Sequence, residues 1–458
     1  MNVFGNIKKL IKNIKSEKIE VKEATELFKL LYEEYDNIFL LESMENDNKL
    51  SRYSVVGFEP IATIKAYDNN VTVKFKGTTI NYHSTNPFLD LKELIRNDIN
   101  KKGFCGGLIG YVSYESIKYF EDVPTYKSIY PDFEFGLYLD CIIYDHINNS
   151  CEYLTVYEDR LERIKKINSK NQQNRSLKYK LIEDDFAKEE YITAVNKAKE
   201  HIKKGNIFQS VISNPKNLEL NGDKTLFYEK LRMINPSPYM YHIKFGQREI
   251  IGSSPEMLMR LENNNIETYP IAGTIRRGKD EKEDRKLEQT LLNDEKELAE
   301  HLMLVDLARN DLGRISKTDS VNVDQFNTIK KFSHIQHIVS HVSGILNEKY
   351  DAIDAFSSLF PAGTLTGAPK IRAMEIINEL EKTARGPYGG AVGYFSLNGD
   401  ADFAITIRTL TTYDDRAEIQ AGAGIVYDSD SSKEYTECEN KRQALLETLK
   451  QSAQELQS

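Results

Sequence analysis

Residues 38 to 157 are written as short alternating runs separated by turn clusters, and this rhythm constrains the fold more than any other feature of the chain. In the segment 61–75, Ala62, Ile64 and Ala66 alternate with Thr63 and Lys65, Asp68-Asn69-Asn70 interrupts, and Val71-Thr-Val-Lys-Phe75 resumes the alternation. A period of two places apolar residues on one strand face, and a short Asn-rich turn joins neighbouring strands antiparallel. With 458 residues the chain is too long for one compact core, so two large domains or one elaborate pair of layers is expected.

Composition divides the chain at one place. Residues 159–186 are highly polar and nearly free of aromatics, which suggests a linker or an exposed helical excursion between an N-terminal part, 1–158, and a C-terminal part, 187–453. Beyond it, Tyr191, Val195, Ala198 and Ile202 recur at helical spacing, Gly205-Asn206 stops the helix, and a strand begins at Ile207. The net charge of −9, with both signs interspersed, argues against a nucleic-acid surface. The N-terminal lysines precede no apolar stretch of signal length, and no run of about 18 apolar residues occurs. The expectation is a cytoplasmic protein that does not insert in membranes. Cys105, Cys141, Cys151 and Cys438 lack C-x-x-C spacing, so no zinc site or disulfide framework is indicated. Gly103-Phe-Cys105-Gly-Gly107 fits a nucleophile elbow by spacing, but no His stands nearby, and it reads as a glycine-rich strand start.

Chemistry concentrates in the C-terminal half. Residues 294–314 form a helical segment apolar almost all round, yet Glu297, Glu300, Leu304 and Leu307 or Ala308 share one stripe. A buried carboxylate costs several kcal/mol unless a cation or hydrogen bonds compensate it. The alternative is an acid that reaches solvent or pairs with Lys296 or Arg309. In Ala401-Asp-Phe-Ala-Ile-Thr-Ile-Arg408-Thr-Leu410, read as one strand, Arg408 projects on the face of Asp402, Ala404 and Thr406. In the strand 417–426, Gln420, Gly422 and Gly424 leave one face nearly bare, so a ligand could lie against backbone N–H groups while Arg408 takes a carboxylate. Close sheet packing over glycine is the competing explanation. Ser431 and Glu434 have capping-box spacing, which gives Glu434 a structural task, whereas Glu437 either serves a site or pairs with Lys441 at i+4. The loop 360–370, with Gly363, Gly367 and Pro369-Lys370 before a helix, resembles an anion site but lacks Walker spacing.

Seven segments together, PIAGTIRRG (270–278), SSPEMLMR (253–260), EHLMLVDLARND (300–311), HIQHIVSHVSG (334–344), PAGTLTGAPK (361–370), GPYGGAVGYF (386–395) and AGAGIVYDSD (421–430), resemble the chorismate-using enzymes. LLES (40–43), RYSVVGFEP (52–60) and GGLIGYVSYE (106–115) extend the likeness to nearly the whole chain and point to the anthranilate synthase branch of that family. The resemblance implies an α+β fold of large, mostly antiparallel β-sheets packed as a sandwich with helices outside. It also implies an N-terminal regulatory domain over 1–158 and a chorismate-binding catalytic domain over 187–453.

The activity implied is Mg2+-dependent addition of ammonia to C2 of chorismate, loss of the C4 hydroxyl and elimination of pyruvate. Carried over by position, Glu300 and Glu437 are the magnesium ligands, with Glu297 and Glu434 standing one step out from the ion. Glu256 matches the general acid, and His337 a histidine with a role in pyruvate elimination. Ala272, Gly273, Thr274, Thr364, Tyr388, Arg408, Gly422, Gly424 and Lys441 match substrate-binding positions.

Gln209 stands where relatives that use water carry a lysine base, and Ala272 where many aminodeoxychorismate synthases carry an attacking lysine. Both point to direct attack by ammonia. Asn214-Pro215-Lys216 and Thr366 depart from the usual pattern, the former with a possible effect on strand geometry. No complete glutaminase elbow is present, so ammonia is expected from a separate glutamine amidotransferase subunit or from solution; the former makes a hetero-oligomer, the expected assembly. Leu41, Glu42, Ser43, Asn235, Pro238, Tyr239 and Met240 match a site for feedback inhibition by tryptophan. The competing readings are an aminodeoxychorismate synthase and a catalytically silent tryptophan-binding scaffold.

Overall fold

A computed structural model describes residues 3–44, 52–95, 99, 101, 103–171, 175–182, 187–331 and 335–455. Two almost wholly antiparallel sheets, of 13 and 12 strands among the described residues, pack against each other with helices around them. The expected hairpin is present: Ala62–Tyr67 pairs with Asn70–Phe75, with Ala62, Ile64, Ala66, Val71 and Val73 buried. In the larger sheet the period of two serves two layers at once. Along strand Asn37–Glu42, Phe39 and Leu41 enter the core between the sheets, while Ile38 and Leu40 face the helices Ala24–Glu34 and Thr225–Ile234.

The strand order does not follow the division at 158 and 187. Strand Asn37–Glu42 lies between Tyr53–Phe58 and Tyr239–Phe245, so N- and C-terminal residues share one sheet. The described parts of the polar segment 159–186, expected as a linker or exposed excursion, are built into the same layer. Helix Leu161–Asn168 buries Leu161, Ile164 and Ile167, and Leu177–Leu181 pairs with Gln209–Gly222. Its apolar residues are few but fall at helical and strand spacing, which is enough to bury one face. Gly103–Gly107 leads into strand Gly107–Val112, and Cys105 is a buried thiol pushed up by burial and in contact with Ser396 Oγ at 3.3 Å. That environment is inert, as the strand-start reading expected. No helix among the described residues is long and apolar enough to cross a membrane.

The site is positioned by a place where two neighbouring chain segments pass from one sheet to the other together. Arg248–Ser254 belongs to the larger sheet and Met257–Glu262 to the smaller; Ala401–Ile405 belongs to the smaller and Thr409–Tyr413 to the larger. They stay paired on both sides of the crossing, Gly252 opposite Thr409 and Met257 opposite Ala404. Such corners let strands serve two packed sheets.

Candidate active site

Glu256 and Arg408 stand at this corner, held by backbone bonds. Ile405 N–H donates to the Glu256 carbonyl (3.0 Å) and Ser253 N–H to the Arg408 carbonyl (3.2 Å). Arg408 has φ +50°, a left-handed conformation that few side chains adopt, so the single strand expected over 401–410 is broken at 406–408. Arg408 thus stands not on a strand face but at the turn between sheets, half-buried beside Glu256. Burial raises the Glu256 carboxyl from 4.5 to about 7, against the opposing pull of the Thr364 hydroxyl, Arg408 and Lys441.

The glycine-lined face expected for strand Arg416–Ile425 is real, and two side chains from other elements cover it. A Cβ on Gly422 would stand 2.8 Å from Tyr388 Oη, and one on Gly424 would stand 2.7 Å from Gln209 Nε2. Lys441 Nζ donates to the Gly422 carbonyl at 2.9 Å. Gln209, Tyr388 and Lys441 therefore meet over glycine backbone, while Thr364 lies beside Glu256. Gln209 Oε1 is buried without a hydrogen-bond partner among the described residues. Strand Gln209–Gly222 keeps register with Arg416–Ile425 from Ser210 to Glu219, so Asn214-Pro215-Lys216 leaves the strand geometry unchanged.

On the smaller sheet, Ala272 pairs with Ile338 and Thr274 with His337, leaving Gly273 as an extra residue with φ +66°. This bulge turns the Gly273 carbonyl toward His337, whose Nδ1 lies 3.0 Å from it and 3.0 Å from Thr274 Oγ1. A carbonyl only accepts, so Nδ1 carries the proton and the lone pair sits on Nε2. Burial, with Arg408 and Lys441 nearby, lowers His337 to about 4, and the ring is neutral at physiological pH.

Glu297 and Glu300 come from helix Glu295–Gly313 and Glu434 and Glu437 from helix Ser431–Ser452. The first helix is less buried than its sequence implied. Only His301, Leu304, Val305 and Leu312 are buried, and the Glu300 side chain is 26% exposed with Lys296 Nζ at 3.8 Å. Its stripe of Leu304, Leu307 and Ala308 lines a cleft with Glu256, Gly363 and Thr364, which explains an apolar face that is not packed core. The second helix is capped by Asp430, whose carboxylate accepts from Ser432 and Lys433 N–H, and not by Ser431. The cap thus lies one residue earlier than expected, with Lys433 and not Glu434 three residues after it, and Glu434 lies near Glu300 and Glu437. Glu437 pairs with Lys441 at 2.7 Å, both half exposed. Lys370 is absent from the site: its Nζ is held by Asp311 (2.6 Å) and the Leu359 carbonyl.

Residues 36–447 match the family of chorismate binding enzymes. The chain belongs to that family. It is 51% identical over 449 residues to anthranilate synthase component 1 of Methanothermobacter thermautotrophicus, covering 98% of this chain and 96% of the relative. The Saccharolobus solfataricus protein of the same name is 41% identical, covering 92% and 95%. A crystal structure of anthranilate synthase component I from Streptococcus pneumoniae superposes with a TM-score of 0.75 at 36% identity, over 86% of this chain and 92% of that one. The menaquinone-specific isochorismate synthase from Escherichia coli shares the fold, with a TM-score of 0.75 at 17% identity over 97% and 98%.

For a chorismate-binding enzyme the four carboxylates have a plain chemical reading. Burial pushes Glu297, Glu300 and Glu434 up, and so do their neighbours: Asp294 and Glu437 act on Glu297, Glu297 and Glu434 on Glu300, and Glu437 on Glu434. Half-desolvated carboxylates that repel one another suit a hard divalent cation. Among the described residues no three such groups converge tightly enough to hold an ion alone.

The tryptophan-matching segments, some 200 residues apart, are strand neighbours, with Glu42 opposite Met240 and Leu41 opposite Tyr241. Ser43 and Pro238 lie beside them, and Asn235 donates to Ser253 Oγ at 2.8 Å. Glu42 already accepts from Ser54 (3.0 Å), Tyr228 (2.7 Å) and Arg232 (3.1 Å). Its carboxylate therefore orders this wall and is not a vacant acceptor. Tyr239 OH bonds Asp402 at 2.9 Å, which ties the wall to the smaller sheet. Sequence reasoning missed Thr268, Tyr269 and Asp311 in the cleft wall and Arg385 behind the site, because no local pattern marks them.

Proposed function

We propose that this chain is the chorismate-aminating subunit of an anthranilate synthase. Ammonia adds at C2 of chorismate, the C4 hydroxyl departs as water, and the enolpyruvyl group leaves as pyruvate while the ring becomes aromatic. The observation that carries this reading is Glu256: a carboxyl that burial keeps partly protonated near neutral pH, beside two cations that would hold a dianionic substrate. Arg408 takes one substrate carboxylate by its planar fork, and Thr364, Tyr388, Lys441 and the backbone at Gly422 and Gly424 orient the other. Ala272, Gly273 and Thr274 form the opposite wall. Glu256 gives its proton to the C4 oxygen. Neutral His337, fixed by the Gly273 carbonyl, presents a basic nitrogen during pyruvate release. Gln209 is an uncharged amide and supplies no base for water, which leaves ammonia as the nucleophile.

Mg2+ held by Glu300 and Glu437, with Glu297 and Glu434 behind them, would neutralise a substrate carboxylate and polarise the reacting system. Ammonia would come from a glutamine amidotransferase subunit, and tryptophan would bind between the strands that carry Leu41 to Ser43 and Tyr239-Met240, with Asn235 and Pro238 at the edge. Four unpaired cysteines suit a reducing cytoplasm. The test is incubation of pure chain with chorismate, Mg2+ and ammonium at alkaline pH: anthranilate fluorescence is expected. Isochorismate, aminodeoxychorismate or no turnover would reject the assignment.

A further inference from the structure

Gln209, Thr364 and Tyr388 arrive from three separate segments, and one buried cation ties those segments together. Arg385 is 2% exposed. Its Nε donates to Glu381 Oε2 (2.8 Å) and its Nη2 to Glu381 Oε1 (2.7 Å). Nη1 donates to the Leu365 carbonyl (2.7 Å), and Nη2 also donates to the Val211 carbonyl (2.8 Å). Leu365 follows Thr364, Val211 stands two residues beyond Gln209, and the Arg385 backbone runs on to Tyr388. The guanidinium lies 4.6 Å from the Tyr114 ring centroid and 5.8 Å from that of Tyr388.

The anchor is itself braced. Glu381 Oε1 accepts from both the N–H and the hydroxyl of Ser213, each at 2.8 Å, and Glu115 Oε1 accepts from Arg385 N–H (2.7 Å) and Gly386 N–H (3.3 Å). A buried ion pair is weak evidence for stability, since apolar replacements of similar volume are often as stable. What this pair adds is direction: a guanidinium has donors in fixed positions within one plane, and a lysine ammonium cannot reach Glu381, Leu365 and Val211 from one place.

We propose that Arg385 is a positioning residue that sets the mutual spacing of Gln209, Thr364 and Tyr388, and so governs chorismate affinity without touching chorismate. This rests on the substrate-site reading given above. The test compares Arg385→Lys, Arg385→Ala and Glu381→Gln with Tyr388→Phe and Arg408→Lys in the full chain, measuring KM for chorismate, KM for ammonium and kcat.

Arg385→Lys is expected to raise the chorismate KM about 10- to 100-fold, in keeping with misplacement of binding groups by about 1 Å, with the ammonium KM changed less than about twofold. Methylguanidinium added to Arg385→Ala is expected to restore the chorismate KM in part, a response that general loss of stability would not give. Folded Arg385 variants with an unchanged chorismate KM, while Tyr388→Phe and Arg408→Lys raise it, would overturn the inference alone. Unchanged KM in all five would overturn the substrate site and the inference with it. If the Arg385 variants do not fold, Glu381→Gln, which keeps size and an acceptor for Ser213, decides by the same criterion.

Discussion

Replacing Glu256 by Gln should abolish turnover and, above neutral pH, stabilise the fold. The wild-type carboxyl moves from 4.5 to about 7 on folding. Below pH 4.5 it is protonated in both states and costs nothing. Between 4.5 and 7 the unfolded chain loses the proton while the folded chain keeps it, so native stability falls as pH rises, and above 7 the loss is complete. At about 1.36 kcal/mol per pH unit this amounts to about 3 kcal/mol. Gln cannot ionise, so the variant escapes the loss; its amide adds an offset that does not depend on pH. With an unfolding entropy of about 2.1 cal/mol/K per residue, about 1 kcal/mol shifts the melting point of a chain this long by about 1 °C. The difference in melting temperature, variant minus wild type, should therefore rise by about 3 °C between pH 5 and pH 8, read by calorimetry at matched scan rates. A difference that stays flat over that range would refute the claim that Glu256 is protonated by burial, and with it the general-acid assignment.

Rates of the wild-type chain, expressed per concentration of free NH3, should decline as pH rises through about 7, because the acid form of Glu256 is consumed. Glu300→Gln and Glu437→Gln should each raise the Mg2+ concentration for half-activation at least about tenfold, as loss of a metal ligand or its support does, checked by metal titration of activity. Gln209→Lys, placed against Gly424, should divert part of the turnover to isochorismate, read by chromatography of products; unchanged product would show that Gln209 does not select the nucleophile. Gly422→Ala should cost more activity than Gly424→Ala, because its Cβ meets Ile212 backbone oxygen at 3.0 Å as well as Tyr388 Oη, whereas the latter meets only the end of Gln209.

Local features were legible in the chain. The hairpin of Ala62–Tyr67 and Asn70–Phe75 needs only alternation and a turn, and the helix Glu295–Gly313 only its period. Features set by distant contacts were not. Arg408 sits in an unbroken alternation of apolar and polar residues, and nothing nearby announces that the chain changes sheets there. The shift of the helix cap from Ser431 to Asp430 is a choice between two good capping residues one position apart. The motif residues were found through likeness to a family, yet their convergence depends on strand pairings more than a hundred residues apart in sequence. Arg385 has partners 20 and 174 residues away and belongs to no recognisable pattern.

The placement of strand Asn37–Glu42 between Tyr53–Phe58 and Tyr239–Phe245 has a consequence for synthesis on the ribosome. After the first hundred residues have emerged, this strand still presents a row of unpaired N–H and C=O groups, and its partner strand, Tyr239–Phe245, is about 140 residues from being made. An open strand edge is a template for pairing with other chains. A fragment ending at residue 158 would carry that edge permanently, and one beginning at 187 would carry its complement on Tyr239–Phe245. The two pieces should aggregate when made singly and become soluble when made together, which gives the long wait during translation a measurable counterpart.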